Sequence, residues 1–229
     1  MENFYDRTQR LLGEDAVRKL AQTHIVVVGV GGVGSWASEA LARVGVGKLT
    51  LVDFDQIEVS NINRQLHALT STVGQYKVDA MRARLLDINP ALEIKTSKEK
   101  LSAENIPAIF AQGDFTIDCI DDVRAKVALI AWHLAHDKAI VSSMGTGNKI
   151  GRAPFVITDI SKTKVCPLAR AVRLGLRKQG VYAGVPVLYS EELPYRTVER
   201  GEKPGTVCFS PAVAGLQLAQ FVVEKILNL

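Results

Sequence analysis

The sequence predicts an α/β protein built on a doubly wound, mainly parallel sheet with an antiparallel extension and helices on both faces. Three observations predict it. Short β-branched runs such as Ile25-Val26-Val27-Val28 suit strands buried on both faces. Such runs alternate with amphipathic helical patterns, the order that builds βαβ units. Directly after the first run, Gly29, Gly31 and Gly34 stand in G-x-G-x-x-G spacing, and the second run, 49–52, ends at Asp53. An acid about twenty residues past the glycines completes the fingerprint of a Rossmann-like nucleotide fold.

The order of elements follows from the same patterns. Residues 5–21 carry amphipathic spacing (Leu11, Leu12, Val17, Leu20) and read as one or two short helices ahead of the first strand. The glycine turn opens a helix that runs through Ala42. A helix is expected over 77–86 and a strand over 93–96, with Asn89-Pro90 between them. Ser102 is placed to cap a short helix ending at Phe110. A strand over 115–118, a helix over 124–136 and a strand over 139–143 complete the parallel part. His133 and His136, without acidic or thiol companions, read as surface histidines. Residues 154–158 form a strand that can run antiparallel, Pro167 opens a helix, and 185–189 is another strand. A polar loop is expected over 190–204, a last strand over 206–209 and an apolar helix over 211–227.

The glycines let backbone approach a phosphate, and a helix N-terminus favours negative charge there. Gly29, Gly31, Gly32 and Gly34 are therefore candidate nucleotide-binding residues, and Asp53 can accept hydrogen bonds from ribose hydroxyls. Between Asp53 and the next helix, Asp55, Asn61, Asn63, Arg64 and Gln65 crowd one loop, followed by Lys77. Cations and amides grouped in this way suit the β and γ phosphates of a triphosphate and charge developing at a transferred centre. A solvated loop that caps the next helix is the other reading of the same residues.

With 229 residues, 47% hydrophobic and 23% charged, the chain suits one large soluble domain. A net charge of +4 permits a nucleic-acid partner without demanding one. Cys119, Cys166 and Cys208 form no C-x-x-C pair, which points to a reducing compartment and no structural zinc. The N-terminus lacks the apolar core of a signal peptide, and no run reaches the length of a spanning helix, so a cytoplasmic location is expected.

GVGGVGS, LVDFDQIEVSNINRQ, VGQYKVDA and DCIDD, in this order, together with the N-terminal YDRTQRLLG, resemble the ubiquitin-activating-like (ThiF/MoeB-type) adenylating family. The resemblance implies ATP and Mg²⁺, and a reaction in which a carboxylate is adenylated and a nucleophile then takes the acyl group. It makes Asp121 the metal-associated and catalytic acid, and Arg64 and Lys77 phosphate ligands that take part in catalysis. It makes Arg7 a catalytic arginine that reaches into the partner's site of a homodimer. Asp122 stands where the family commonly has asparagine.

The segments KTKVCPLARAVRLGLRK, GVPVLYSEE and PGTVCFSPAVAG further resemble the family's tRNA-modifying branch. The implied substrate is a tRNA carrying N6-threonylcarbamoyladenosine. Its threonyl carboxylate is adenylated and then attacked from within the same modification, closing a ring with net loss of water. A nucleophile carried by the substrate needs no enzymic cysteine. The chain then reads as one adenylating unit over 1–229, with a nucleotide-binding part over 20–150 and a tRNA-facing part over 151–229. Arg170, Arg173 and Arg177, at i, i+3 and i+7, are candidate tRNA contacts, against the reading of a solvated basic face. A monovalent cation near 145–147 and association with a cysteine-desulfurase sulfur-transfer system stay open. The rival readings are an activator of a sulfur-carrier protein's C-terminal glycine, a silent nucleotide-binding scaffold, and, more distantly, a nicotinamide dehydrogenase.

Overall fold

The computed structural model describes residues 4–196 and 204–229. Seven strands form one sheet in the order β3-β2-β1-β4-β5-β7-β6. They are β1 (His24–Val28), β2 (Lys48–Val52), β3 (Glu93–Ser97), β4 (Phe115–Asp118), β5 (Ala139–Ser143), β6 (Phe155–Asp159) and β7 (Pro186–Ser190). All neighbours are parallel except the antiparallel β6–β7 pair. This is the predicted doubly wound sheet with its antiparallel extension.

Alternation within β1 separates two cores. Ile25 and Val27 join one apolar cluster with Ala37 and Leu41 of α3 (Gly34–Val44), Met81 and Leu85 of α4 (Lys77–Ile88), and Leu218 and Val222 of α8 (Phe209–Leu227). Val26 and Val28 face the other way, toward Phe110 of α5 (Ile106–Phe110), Leu129 of α6 (Val123–Ala135) and Val172 of α7 (Pro167–Arg177). Period-two alternation in a strand buried on both faces produces this split. Each fully buried Val or Ile of β1 contributes about 1.5–3 kcal/mol of transfer free energy.

Strand order reverses between β1 and β4. Where parallel strands diverge to opposite sides, a crevice opens outside their carboxyl ends, and ligands bind there. The chain's entry lies at the opposite end of the helices that flank the sheet. Two helices, α1 (Asp6–Leu12) and α2 (Glu14–Gln22), are separated at Gly13, which sits at φ +88°. Tyr5 lies against Gly45, and its hydroxyl receives a 3.2 Å hydrogen bond from Asn89. Gly45 and Asn89 end α3 and α4, so α1 is held far from the glycine turn.

Some local expectations fail for identifiable reasons. No strand forms over 206–209; α8 begins at Phe209, and Gly215 brings this helix close to Val33 and Trp36 of α3. Ser102 does not cap α5, since its own amide donates to the Asn105 side chain. His133 is buried, with its ring nitrogens at 2.8 Å from the Thr116 hydroxyl and the Leu129 carbonyl, while His136 is exposed and stacks on Trp132. Part of the 190–204 loop, residues 197–203, lies outside the described residues. Among the described residues no helix is long and apolar enough to cross a membrane.

His67 is buried, and among the described residues neither ring nitrogen has a hydrogen-bond partner. Burial, reinforced by Lys77 and Arg84, pushes its pKa down to about 4 from 6.5. The unfolded chain therefore takes up a proton before the folded one does. The neutral ring's contribution is complete above the ordinary value and is lost as pH falls from 6.5 toward 4. The loss approaches about 3 kcal/mol. Urea unfolding at several pH values is expected to show that much less acid sensitivity in His67→Leu; parallel curves for the two proteins would refute it.

Candidate active site

The crevice is a cleft of ≈ 1610 Å³ at the carboxyl ends of the strands. Small-molecule sites typically occupy about 300–1,000 Å³, so this cleft has room for a nucleotide and part of a second substrate.

One wall is the glycine turn. Gly29 sits at φ +81°, and a Cβ there would lie 2.9 Å from the Cys119 carbonyl group. A Cβ on Gly34 would fall 1.9 Å from the Gly29 oxygen, so the third glycine closes the turn against the first and does not line the cleft. Gly31 and Gly32 do line it. No side chain caps the start of α3, where the Ser35 amide donates to the Gly31 carbonyl at 3.1 Å.

Asp53 braces this wall. Its Oδ2 accepts from the Val30 amide at 2.7 Å and its Oδ1 from the Asp55 amide at 2.9 Å. Burial pushes the Asp53 carboxyl above its usual range, against the opposing pull of the Lys77 ammonium and the two amides. Asp53 thus ties the glycine turn to the end of β2, while half-exposed Asp55 presents the freer carboxylate, 2.6 Å from Lys77 Nζ.

The polar loop folds back over the turn. Asn61 is buried, its Oδ1 accepting from the Glu58 amide. Arg64 Nη1 donates to the Ser60 carbonyl and the Asn63 side chain. Gln65 is also buried, and among the described residues its Oε1 has no hydrogen-bond partner. Its Nε2 lies 3.8 Å from where a Gly31 Cβ would stand. An unsatisfied buried acceptor beside a glycine turn is a ready partner for a bound donor.

The two adjacent acids past β4 take different roles. Asp122 caps α6 through a 2.9 Å hydrogen bond from the Ala125 amide. Asp121 lines the cleft, exposed, and among the described residues takes part in no hydrogen bond or ion pair. Asp118 is committed elsewhere: it meets Lys126 Nζ at 2.8 Å, both side chains fully buried, with Ser142 Oγ donating at 2.7 Å. Lys126 also donates to the Ser143 carbonyl, so one ammonium locks the ends of β4 and β5 beneath the cleft.

The expected nucleotide residues Gly29, Gly31, Gly32, Asp53, Asp55, Asn61, Arg64, Gln65 and Lys77 all line this cleft, as does Asp121. Gly34 supports the turn from behind. Arg7 is exposed on α1 and does not line it. The helix α3 alone separates its anchorage at Gly45 from the glycine turn by about 16 Å. Arg170 and Arg177 are exposed on α7, but Arg173 is half-buried. Its Nη1 donates to the carbonyls of Ile160 and Thr163 and to the Thr163 hydroxyl, which takes it off the free basic face.

The opposite wall is formed by 143–149, 165–168 and 192–196, much of it unmarked by sequence. Glu192 is buried there, its carboxylate accepting from the amides of Ile150, Gly151 and Ala153. Against burial, which raises it, these amides hold its pKa below the usual range. Lys149 is buried beside it and donates to the carbonyls of Ser190 and Glu192; burial lowers its pKa. The polar residues 142–147 that end β5 are the signal in sequence for this wall, and nothing in sequence singles out Lys126, Lys149 or Glu192.

A glycine turn at the switch point of a parallel sheet, with Arg64 and Lys77 in the same cleft and Asp121 uncommitted among the described residues, fits an enzyme that uses a nucleotide. The chain belongs to the ThiF family, whose model matches residues 5–229. A tRNA threonylcarbamoyladenosine dehydratase of Bacillus subtilis (strain 168) is 41% identical over 240 residues, covering 98% of this chain and 94% of that protein. A protein of the same name from Escherichia coli (strain K12) is 39% identical over 215 residues, 90% of this chain and 79% of that one. The crystal structure of E. coli tRNA N6-threonylcarbamoyladenosine dehydratase, TcdA, in complex with ATP matches with a TM-score of 0.91 at 36% identity, over 98% of this chain and 93% of that chain.

Replacing Lys126 by methionine leaves Asp118 buried without its counter-charge. Such a change costs about 3–5 kcal/mol. Urea denaturation of Lys126→Met is expected to show a loss of that size, and Asp118→Leu in the same chain to recover most of it. A single variant as stable as wild type would show that the pair does not hold β4 to β5.

Proposed function

We propose that this protein catalyses the ATP-dependent dehydration of N6-threonylcarbamoyladenosine in tRNA, through adenylation of the threonyl carboxylate. The observation that carries the reading is one cleft with two unlike walls: a phosphate cradle facing a second, separately built wall with space between them. Similarity extending over 98% of the chain, residues 151–229 included, favours this branch over an activator of a sulfur-carrier protein.

In the first step a carboxylate oxygen attacks the α-phosphorus of ATP and pyrophosphate leaves. In the second a nitrogen of the ureido group attacks the acyl carbon, closing the ring and releasing AMP. The chain's part is positioning and charge stabilisation. Gly31 and Gly32 receive phosphate oxygens on the frame that Asp53 braces. Lys77, steadied by Asp55, and Arg64 offset charge on the β and γ phosphates and the departing pyrophosphate. Asn61 and Gln65 complete the polar lining.

Asp121 fits a magnesium ligand, since it faces the cleft with no other commitment among the described residues. Magnesium commonly takes one or two carboxylates plus substrate phosphates. Bound there, it would neutralise phosphate charge, with substrate phosphates and water as its other ligands.

Arg7 acts in trans. It is exposed and lies outside the lining of its own cleft, which fits an arginine supplied to the site of a second copy in a homodimer. The chain works as one adenylating unit in the cytoplasm, its nucleotide part over 20–150 and its tRNA-facing part over 151–229. Arg170 and Arg177 are the exposed cations of α7 available to the tRNA backbone.

Incubation with ATP, magnesium and modified tRNA, followed by digestion and mass spectrometry, is expected to yield a nucleoside lighter by one water. An unchanged mass would sink the reading. Asp121→Ala and Arg7→Ala are each expected to abolish the product without unfolding the protein. Mixed and re-equilibrated, the two inactive variants should regain about a quarter of wild-type activity, because half of the dimers then hold one complete site. A mixture as inactive as its components would place Arg7 outside the partner's site.

A further inference from the structure

The wall opposite the glycine turn carries a cluster that adenylation does not use. Tyr195 is 52% exposed at the mouth of the cleft. The guanidinium carbons of Arg152 and Arg196 lie 5.3 and 6.0 Å from its ring centre, and both arginines are exposed.

The backbones that carry these three side chains are fixed. The Tyr195 amide donates to the Asn148 carbonyl at 2.9 Å and the Arg196 amide to Asn148 Oδ1 at 3.0 Å. Asn148 Nδ2 returns a 2.6 Å hydrogen bond to the Arg196 carbonyl. Asn148 adopts φ +57°, a left-handed conformation that asparagine tolerates better than most residues. On the Arg152 side, the buried Glu192 carboxylate gathers the flanking amides of Gly151 and Ala153. An aromatic ring and two cations are thus held ready on an ordered frame and left facing solvent.

We propose that Tyr195, with Arg152 and Arg196, is the stacking platform for the base that neighbours the modified adenosine in the tRNA. This rests on the function proposed above. To bring its carboxylate to an α-phosphorus inside the cleft, the modified nucleotide leaves its stack, as nucleotides do when enzymes act on a base. Its neighbour then lies unstacked at the mouth. Aromatic rings and guanidinium planes restore stacking to such bases without demanding a particular sequence. The guanidiniums also meet the flanking phosphates. The overall charge of only +4 gives weak general attraction, so a local platform is what holds the tRNA in place.

The test measures KM for modified tRNA, kcat, and the Kd of ATP for the full-length enzyme. Tyr195→Ala is expected to raise the tRNA KM about tenfold or more. Tyr195→Phe keeps the ring and should restore it; Tyr195→Leu keeps bulk without a π face and should not. The Kd of ATP should stay unchanged in all three. Arg152→Ala and Arg196→Ala should each flatten the log–log salt dependence of tRNA binding by about 0.7. A normal tRNA KM in Tyr195→Ala, full rescue by leucine, or a parallel rise in the Kd of ATP would each overturn the platform. If wild type cyclises the modification while Tyr195→Ala keeps its KM, only the platform falls. If wild type makes no cyclised nucleoside, the function proposed above falls, and the platform with it.

Discussion

Two amide hydrogen bonds to a single carboxylate set the geometry on which the cleft depends. Asp53 receives the Val30 and Asp55 amides, one on each oxygen, and so fixes the glycine turn relative to the end of β2. The contact of Gly34 with the Gly29 carbonyl closes the turn from below. Every further nucleotide-facing group is placed relative to that frame. Asp55 follows Asp53 by two residues and orients Lys77, and the 59–65 segment packs over Gly31 and Gly32 through Gln65 and Arg64. A charge this deeply buried is tolerated because each oxygen is hydrogen-bonded and an ammonium lies close by.

The cleft's floor and far wall repeat the device with other partners. Lys126 sits where β4 and β5 end, satisfied by Asp118, Ser142 and the Ser143 carbonyl. Glu192 collects the amides of a turn, and Lys149 collects the carbonyls of the neighbouring strand end. Buried charges paired with backbone are costly to disrupt, so they hold loop geometry where apolar packing is thin. Asp121, with no such engagement among the described residues, stands apart from these structural acids.

Much of this was legible in sequence because the signals are local. Strand runs flanked by glycines and helical periods fixed the doubly wound sheet, and the glycine spacing with Asp53 located one wall of the cleft. The long polar motif from Asp53 to Gln65 carried the site residues that line the cleft. What escaped depends on residues distant in the chain. Lys126 pairs across two strands and the far wall joins 148–153 to 190–196, neither of which leaves a periodic trace. The arginines of α7 show the limit of a helical wheel. They share a face by spacing, yet the carbonyls of a neighbouring turn capture Arg173. In the same way, the strand-like run at 206–209 leads into α8, which begins at Phe209 and packs closely on α3.

Asn148 touches the chain on both sides of 197–203, binding Arg196 through its side chain and the Gly205 carbonyl through its amide. The separation of those two anchor points is therefore set by one residue and not by the number of residues that join them. Lengthening such a connection adds only about 0.6 kcal/mol of closure entropy per doubling. Insertions between the anchors can thus vary the length of that connection while the wall that carries Asn148 keeps its form.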